Sequence, residues 1–195
     1  MHKKADKDSL RRRLQQQRQA LTKSQQSVYS QQICQHVAQS DCFKNAQHIA
    51  FYTAVKGEAN PLPLQQTANK SFYLPVLSST KKFHLIFVKV DASTQYKNNI
   101  YSIPEPIYKP KDIIATEKLD LVIMPLVAAD RKGNRMGMGG GYYDRSFAFK
   151  QIATINTPKL LGFAYDFQLI NALNAAPWDI PLEYIATNAE FFEVP

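Results

Sequence analysis

A continuous apolar run, LDLVIMP at residues 119–125, stands shortly before a segment that holds five of the chain's seven glycines. A strand that is apolar at nearly every position is typical of a parallel sheet covered on both faces. In open α/β sheets, ligands bind beyond the carboxyl ends of such strands. The chain is therefore expected to bury this strand and to carry a ligand-binding loop just after it.

Other candidate strands alternate with helical patterns along the chain. Strands are predicted at residues 48–54, 71–77, 83–90 and 159–165, with a last one at 184–187. Helices are predicted at 7–21, from the capping box of Thr22 to about Ser40, and over 61–68, 141–152 and 167–173, with an irregular connection at 91–118. This alternation predicts an α/β fold: a Rossmann-like three-layer sandwich with a largely parallel central sheet and N-terminal helices.

The glycine cluster lies in DRKGNRMGMGGGYYDR, residues 130–145. It matches neither the Walker phosphate loop, because no lysine follows its glycines, nor the dinucleotide fingerprint, because Tyr142 occupies the last glycine position. A tight turn needs one or two glycines, whereas consecutive glycines let backbone N–H groups converge on an anion. A following helix and the charge of Arg135 would add to that attraction, so the segment is interpreted as an anion-binding loop.

Basic charge is concentrated at the N-terminus. The chain has a formal net charge of +8, and residues 1–24 hold eight basic side chains against two acidic ones. Such a helix suits RNA, and it equally suits a small polyphosphate. No RNA-recognition motif accompanies it. The length of 195 residues predicts one domain, residues 1–195, with the basic helix 1–24 as part of it.

Composition narrows the class of protein further. Apolar residues make up 45% of the chain, which is enough for a full core and excludes a disordered protein. No apolar run approaches the ~18 residues of a membrane span, and the N-terminus lacks the apolar region of a secretory signal. The two cysteines, Cys34 and Cys42, are interpreted as reduced thiols, so we expect a cytoplasmic protein.

Four segments together resemble a known family. They are KDSLR at 7–11, FYTAVKGE at 51–58, VIMPLVAADRKGNRMGMGGGYYDR at 122–145, and GFAYDFQL at 162–169 with PWDIPLEYIATN at 177–188. In this order they are similar to the signatures of the 5-formyltetrahydrofolate cyclo-ligase family, also called methenyltetrahydrofolate synthetases. The departures from the family pattern remove no charged group and lie at Ala129, Met136 and Glu183.

The resemblance implies a ligase that uses ATP and Mg²⁺ to convert 5-formyltetrahydrofolate to 5,10-methenyltetrahydrofolate, releasing ADP and phosphate. In the implied reaction the formyl oxygen attacks the γ-phosphate of ATP, and N10 of the folate then closes the ring. Such an enzyme positions two ligands and neutralises charge, so it needs no Ser/His/Asp triad. We expect a monomer whose partners are folate and ATP, rather than a membrane or a nucleic acid.

Site residues follow from the matched motifs. Lys7 and Arg11, at i and i+4 on one helix face, would contact the phosphates of ATP. The whole set implied for ATP is Lys7, Arg11, Arg135, Met136, Gly137, Met138, Gly139, Gly140, Gly141, Tyr142 and Tyr143. Arg135 and Tyr143 would be catalytic, with Arg135 neutralising charge at the transferred phosphate.

Folate and metal positions are implied in the same way. The set implied for folate is Thr53, Glu58, Met138, Gly139, Gly140, Gly141 and Tyr142. The carboxylate of Glu58 can accept hydrogen bonds from the amino and ring N–H groups of a pterin. Asp144 and Asp179 would bind Mg²⁺, which needs only one or two protein carboxylates when phosphate is present.

Two other functions remain open at this point. The basic helix could bind RNA, in which case affinity would depend on salt and no ATP would be consumed. Alternatively, an ATP-dependent enzyme of this fold could act on a different small substrate. Trp178, the only tryptophan, could belong either to the core or to a pocket wall.

Overall fold

One eight-stranded sheet organises the computed structural model, which describes residues 2–152 and 154–195 and the side chains from residue 6 onward. The helices are α1 (His2–Ala20), α2 (Lys23–Gln39), α3 (Asp41–Asn45) and α4 (Tyr142–Ser146). Single 3-10 turns occur at Leu62–Gln66, Pro110–Asp112, Thr116–Lys118, Ala148–Gln151 and Asp166–Gln168. No helix in this part of the chain is long and apolar enough to cross a membrane.

Thirteen short strands fall within the described residues. They are β1 (His48–Ala50), β2 (Ser71–Leu77), β3 (Leu85–Val90), β4 (Tyr96–Asn98), β5 (Pro104–Pro106), β6 (Ile113–Ile114), β7 (Leu121–Pro125), β8 (Ala128–Asp130), β9 (Arg135–Met136), β10 (Lys159–Phe163), β11 (Leu169–Ile170), β12 (Tyr184–Ala186) and β13 (Phe191–Glu193). Beside the main sheet, β11, β8 and β9 form a three-stranded sheet, and β4 and β5 form a hairpin.

The main sheet has the strand order β13-β12-β10-β7-β1-β2-β3-β6. Its five central strands, from β12 to β2, are parallel, and the three outer strands are antiparallel to their neighbours. The predicted apolar strand is β7, whose residues Leu121 to Met124 are all buried. The prediction of an α/β fold with a largely parallel sheet is confirmed.

Apolar side chains cover both faces of the sheet. On one face α2 and α3 contribute Ile33, Val37 and Phe43 to the core. On the other face Phe147 and Leu182 pack over the strands. Since each face is covered by other elements, the main sheet is the middle of three layers.

The N-terminal helices follow their sequence signals. The side chain of Thr22 accepts a hydrogen bond from the backbone of Gln25 at 3.2 Å, and Thr22 N–H donates to the Gln25 side chain at 2.9 Å. This reciprocal pair is the capping box that predicted the start of α2. On α1, Leu14 is buried against the small sheet, which fixes the helix beside the glycine segment.

Several predicted elements are wrong in extent or type. The helix predicted over 141–152 is only the five-residue α4, because Phe147 leaves helical geometry with φ −112° and ψ 18°. The strand predicted over 48–54 ends at Ala50, although Phe51 N–H still donates to the carbonyl of Tyr73 in β2 at 3.0 Å. A strand follows the predicted last one, since β13 pairs with β12.

The segment predicted as a helix over 167–173 is not helical beyond a single 3-10 turn. Buried Gln168 caps that turn, accepting from Tyr165 N–H at 2.9 Å and donating to Leu126 and Val127 carbonyls at 3.0 Å. These bonds draw the following residues into β11, which pairs with β8. Tertiary hydrogen bonds therefore override the local helical pattern.

Candidate active site

A cleft of about 1130 Å³ opens beyond the carboxyl ends of the parallel strands β1, β2 and β7. It is lined by every residue to which the sequence assigned a role: Lys7, Arg11, Thr53, Glu58, Arg135, Met136, Gly137, Met138, Gly139, Gly140, Gly141, Tyr142, Tyr143, Asp144 and Asp179. Segments that are far apart in the chain thus meet around one cavity, where an open α/β sheet is expected to bind its ligand.

The glycine segment forms an irregular loop between β9 and α4. Gly139 and Gly141 have φ values of +96° and +65°, in the left-handed region that favours glycine. The Arg145 side chain donates a hydrogen bond to the carbonyl of Gly140 at 2.7 Å, which ties the loop to the helix that follows it. Because α4 spans only five residues, its dipole adds less to anion binding than the predicted long helix would have added.

Helix α1 closes one side of this loop. The Nε of Arg11 donates to the carbonyl of Gly137 at 3.1 Å, and its Nη1 forms an ion pair with Asp8. Lys7, one turn earlier, also lines the cleft. Both residues therefore line the cleft from the same side of α1, and their contact with phosphate stays a prediction.

An ion pair of a buried guanidinium and a partly exposed carboxylate lines the cleft. The Nη2 of Arg135 donates to Asp144 Oδ1 at 2.6 Å, and its Nη1 donates to the carbonyl of Ile180. Asp144 Oδ1 also accepts from Ile180 N–H at 3.2 Å. Burial lowers the pKa of Arg135, while the adjacent Asp144 opposes that shift and favours the charged form.

The two aspartates keep carboxylate oxygens available. Within the described residues, the hydrogen bonds of Asp144 use Oδ1, and the bond that Asp179 accepts from Ala176 N–H at 2.8 Å uses Oδ2. No group of three or more His, Cys, Asp or Glu side chains gathers in this part of the chain. Two oxygen donors beside the glycine loop fit Mg²⁺, which completes its coordination sphere with phosphate and water when a phosphate is bound.

Glu58 lines one side of the cleft from a tight turn that follows β1. Its Oε2 accepts from Val55 N–H at 3.1 Å, and its own N–H donates to the Val55 carbonyl at 3.0 Å. Gly57 lies within this turn with φ +77°. Burial raises the pKa of Glu58, and the charge of Arg18 works against that rise. Thr53 lines the cleft as well.

The two tyrosines after the glycines differ in their surroundings. Tyr142 shares a hydrogen bond with Tyr101, with 2.8 Å between the two hydroxyl oxygens. Tyr143 packs its ring parallel to that of Phe147, with 6.3 Å between centroids. Burial raises the pKa of Tyr143 far enough that its phenol stays protonated near neutral pH.

Sequence reasoning missed several residues of the cleft. Tyr101 lies in the β4–β5 hairpin, inside a stretch that was predicted only as an irregular connection. Trp178 is pocket wall rather than core, since it is 69% exposed and lines the cleft. Lys56 and Arg145 also line it. Lys56, Arg145 and Trp178 lie inside the matched segments but were assigned no role there, whereas Tyr101 lies outside all of them.

The basic helix is less available to an external partner than its charge suggests. Lys7 and Arg11 face the cleft, and Arg18 is almost fully buried. The exposed cations that remain on the described part of α1 are Arg12 and Arg13. This arrangement favours a small anionic ligand in the cleft over a nucleic acid along the helix.

Comparison with known proteins agrees with the geometry. The model of the 5-formyltetrahydrofolate cyclo-ligase family matches residues 3–188. A 5-formyltetrahydrofolate cyclo-ligase from Haemophilus influenzae is 36% identical over 165 residues, covering 83% of this chain and 87% of its own. A protein of the same name from Escherichia coli K12 is 33% identical over 183 residues, covering 92% and 99%.

Two solved structures are similar as well. A 5,10-methenyltetrahydrofolate synthetase from Aquifex aeolicus superposes with a TM-score of 0.81 at 25% identity, covering 96% of this chain and 92% of its own. A 5,10-methenyltetrahydrofolate synthetase from Mycoplasma pneumoniae gives a TM-score of 0.71 at 26% identity, covering 94% and 99%. The similarity extends over nearly the whole chain in each case.

Proposed function

The chain belongs to the 5-formyltetrahydrofolate cyclo-ligase family, and from that premise we propose that it converts 5-formyltetrahydrofolate to 5,10-methenyltetrahydrofolate with ATP and Mg²⁺. ATP would be a co-substrate, released as ADP and phosphate. The observation that carries the proposal is that Glu58, the glycine loop and two aspartates line a single cleft. A carboxylate at one end suits a pterin, and cations around glycines at the other end suit a polyphosphate.

The proposed reaction has two steps. In the first, the formyl oxygen bonds to the γ-phosphorus of ATP while the bond from that phosphorus to ADP breaks. In the second, N10 attacks the activated formyl carbon, the carbon–oxygen bond to phosphate breaks, and N10 loses its proton. Since the folate supplies both nucleophiles, the protein acts by positioning the ligands and stabilising charge.

The phosphate end of the cleft supplies the charge. Lys7 and Arg11 would contact phosphate oxygens beside the backbone of residues 136–143. Asp144 and Asp179 would hold Mg²⁺, which when bound would neutralise phosphate charge. Arg135 would stabilise the charge of the transferring phosphoryl group and would hold the carboxylate of Asp144 in place.

The folate end would recognise the pterin. Glu58 would accept hydrogen bonds from its N–H groups, with Thr53 beside it. Residues 138–142 would contact both ligands, and Tyr142 offers a ring at the cleft surface. The neutral phenol of Tyr143 is assigned a catalytic part as a hydrogen-bond donor near the reacting groups. We further propose that residues 1–195 form a single domain that acts as a cytoplasmic monomer.

The test follows the absorbance of methenyltetrahydrofolate when purified protein is mixed with 5-formyltetrahydrofolate, Mg²⁺ and ATP. Growth of the absorbance that requires ATP is the expected result. A flat trace from folded protein that still binds ATP would overturn the folate assignment and favour a different small substrate. Glu58→Gln sharpens the distinction, because it should weaken folate use and leave ATP binding intact.

A further inference from the structure

One buried charge near the cleft takes no part in the assignments above. Arg18, near the end of α1, has a side chain only 1% exposed, although it lies in the most basic stretch of the chain. It does not line the cleft itself. Its nearest carboxylate among the described residues is Glu58, with 3.5 Å between Nη1 and Oε1. An arginine buried behind a proposed ligand-binding carboxylate needs an explanation, because burying a charge is costly.

Arg18 holds the turn of Glu58 at two points. Its Nε donates to the carbonyl of Lys56 at 3.2 Å, while the other end of the guanidinium faces Glu58. The turn also packs closely against the backbone of α1. A Cβ atom added to Gly57 would lie only 3.0 Å from the carbonyl oxygen of Arg18, so only glycine leaves room there. The rigid fork of an arginine can reach both points, whereas a lysine has a single nitrogen.

The partnership is mutual. The Glu58 side chain is only 9% exposed, so its charged form needs a nearby cation. Neither Nη atom of Arg18 has a hydrogen-bond partner within the described residues, so Glu58 is the counter-charge that Arg18 has in this part of the chain. Because Glu58 lines the cleft and Arg18 lies behind it, the arginine can act on a ligand only through the carboxylate.

We propose that Arg18 is a positioning residue, which keeps the Glu58 carboxylate ionised and aimed into the folate end of the cleft. The proposal rests on the proposed function, in which Glu58 accepts hydrogen bonds from the pterin. An ionised carboxylate can accept hydrogen bonds from both the amino group and the ring N–H of the pterin. A protonated carboxyl group would instead place its own O–H donor opposite one of these N–H donors.

The other titratable groups around Glu58 do not replace Arg18. They are Lys56, which belongs to the same turn, and the phenols of Tyr52, Tyr143 and Tyr165. Burial raises the pKa of all three phenols, so they stay neutral where the enzyme works. Lys56 is exposed and screened by solvent, and it weighs less on the pKa of Glu58 than Arg18 does. Without Arg18, burial would therefore raise the pKa of Glu58 further, and the carboxylate would become protonated at a higher pH than in the unmodified protein.

The experiment compares Arg18→Met and Arg18→Lys with Arg13→Met, which removes an exposed charge from the same helix. Arg18→Met should raise the KM for 5-formyltetrahydrofolate by roughly tenfold or more, and leave the KM for ATP within about twofold.

In the pH profile of kcat/KM for folate, activity is lost as the pH falls through the pKa of Glu58. Losing Arg18 raises that pKa, so this acid limb should move up by about one to three pH units. Arg18→Lys keeps a positive charge, so its acid limb should move less than that of Arg18→Met. Arg13→Met should not move the acid limb.

If Arg18 only stabilised the fold, its substitution would give different kinetic results. If the acid limb stays in place, or both KM values rise together, the proposal is overturned. The pKa of Glu58, followed by carbon NMR of its carboxyl group in the ligand-free protein, gives a reading that needs no turnover. If Arg18→Met fails to fold, Arg18→Gln, which removes the charge but keeps a side chain that can donate to the Lys56 carbonyl, provides the same two readings. An unchanged pKa of Glu58 in Arg18→Gln is then the overturning result.

Glu58→Gln separates this inference from the proposed function. It should raise the KM for folate and remove the acid limb, and adding Arg18→Met to it should then change little. If Glu58→Gln has no effect on folate, the proposed role of Glu58 fails. If Glu58→Gln has its effect while Arg18→Met leaves the limb unchanged, only the role of Arg18 fails.

Discussion

The guanidinium of Arg135 and the carboxylate of Asp144 lie 2.6 Å apart at the floor of the cleft, joined through a single carboxylate oxygen. Arg135 is placed by the β8–β9 pair, and Asp144 by the short helix that follows the glycines. The backbone of Ile180 bonds to both side chains. Three segments are thereby fixed around one charge pair, and the hydrogen bonds of Asp144 among the described residues all use the same carboxylate oxygen.

Arg135→Ala tests the charge proposed for the phosphoryl-transfer site. Turnover should fall by roughly 100-fold or more, the usual loss when a preorganised electrostatic group is removed. The measurement is kcat for methenyltetrahydrofolate formation in protein checked for native circular dichroism. Arg131→Ala is the matched control, since Arg131 pairs with Glu190 outside the cleft. Near-normal kcat in folded Arg135→Ala would sink the assignment.

Asp144→Asn and Asp179→Asn test the proposed magnesium ligands. Each should raise the Mg²⁺ concentration needed for half-maximal turnover by roughly tenfold or more, since even indirect partners of a metal cost that much. Asp144→Asn should also lower stability, because it leaves the buried charge of Arg135 without its partner. Magnesium titrations of activity, with urea unfolding in parallel, separate the two effects. Unchanged titrations for both variants would exclude these carboxylates as ligands.

Asp130→Ala tests the support beneath Arg135. Asp130 is 1% exposed, and its carboxylate accepts hydrogen bonds from three backbone N–H groups and one side-chain amide of Lys132, Asn134 and Leu173. Its removal should lower the free energy of unfolding by about 3 kcal/mol, because buried donors lose a charged acceptor.

Urea unfolding measures this loss, and Asp166→Ala, which removes an exposed carboxylate, serves as the control. A loss no larger than that of the control would show that the turn after β8 does not depend on the Asp130 carboxylate.

The sequence predicted the parts of this molecule that are specified locally. Strand β7 is apolar because both its faces are covered, and α2 begins at a capping box that needs no tertiary contact. The glycine segment was predicted to be an irregular loop rather than a regular element, and in it Gly139 and Gly141 adopt left-handed conformations. Such features leave a mark in consecutive residues, and they could be read without the structure.

The parts that were missed depend on contacts between distant segments. Arg18 follows Leu14 by four residues and so shares its helix face, unlike Arg12 and Arg13, but the sequence does not show that the 55–58 turn packs against it there. Tyr101 reaches Tyr142 across 41 positions, through a hairpin whose sequence reads as irregular. Local propensity cannot predict such contacts, since they follow from how the sheet brings its loops together.

Trp178 offers a direct reading of ligand binding in the unmodified chain. It is the only tryptophan, it is largely exposed, and it lines the cleft next to Asp179. Binding of ATP with Mg²⁺ should remove water from the indole ring and shift its emission to shorter wavelength. Excitation at a wavelength that ATP does not absorb gives the titration, and its midpoint should agree with the dissociation constant from calorimetry. Trp178→Phe is the control for residual tyrosine emission. Unchanged emission under conditions where calorimetry records binding would place the nucleotide away from the Trp178 side of the cleft.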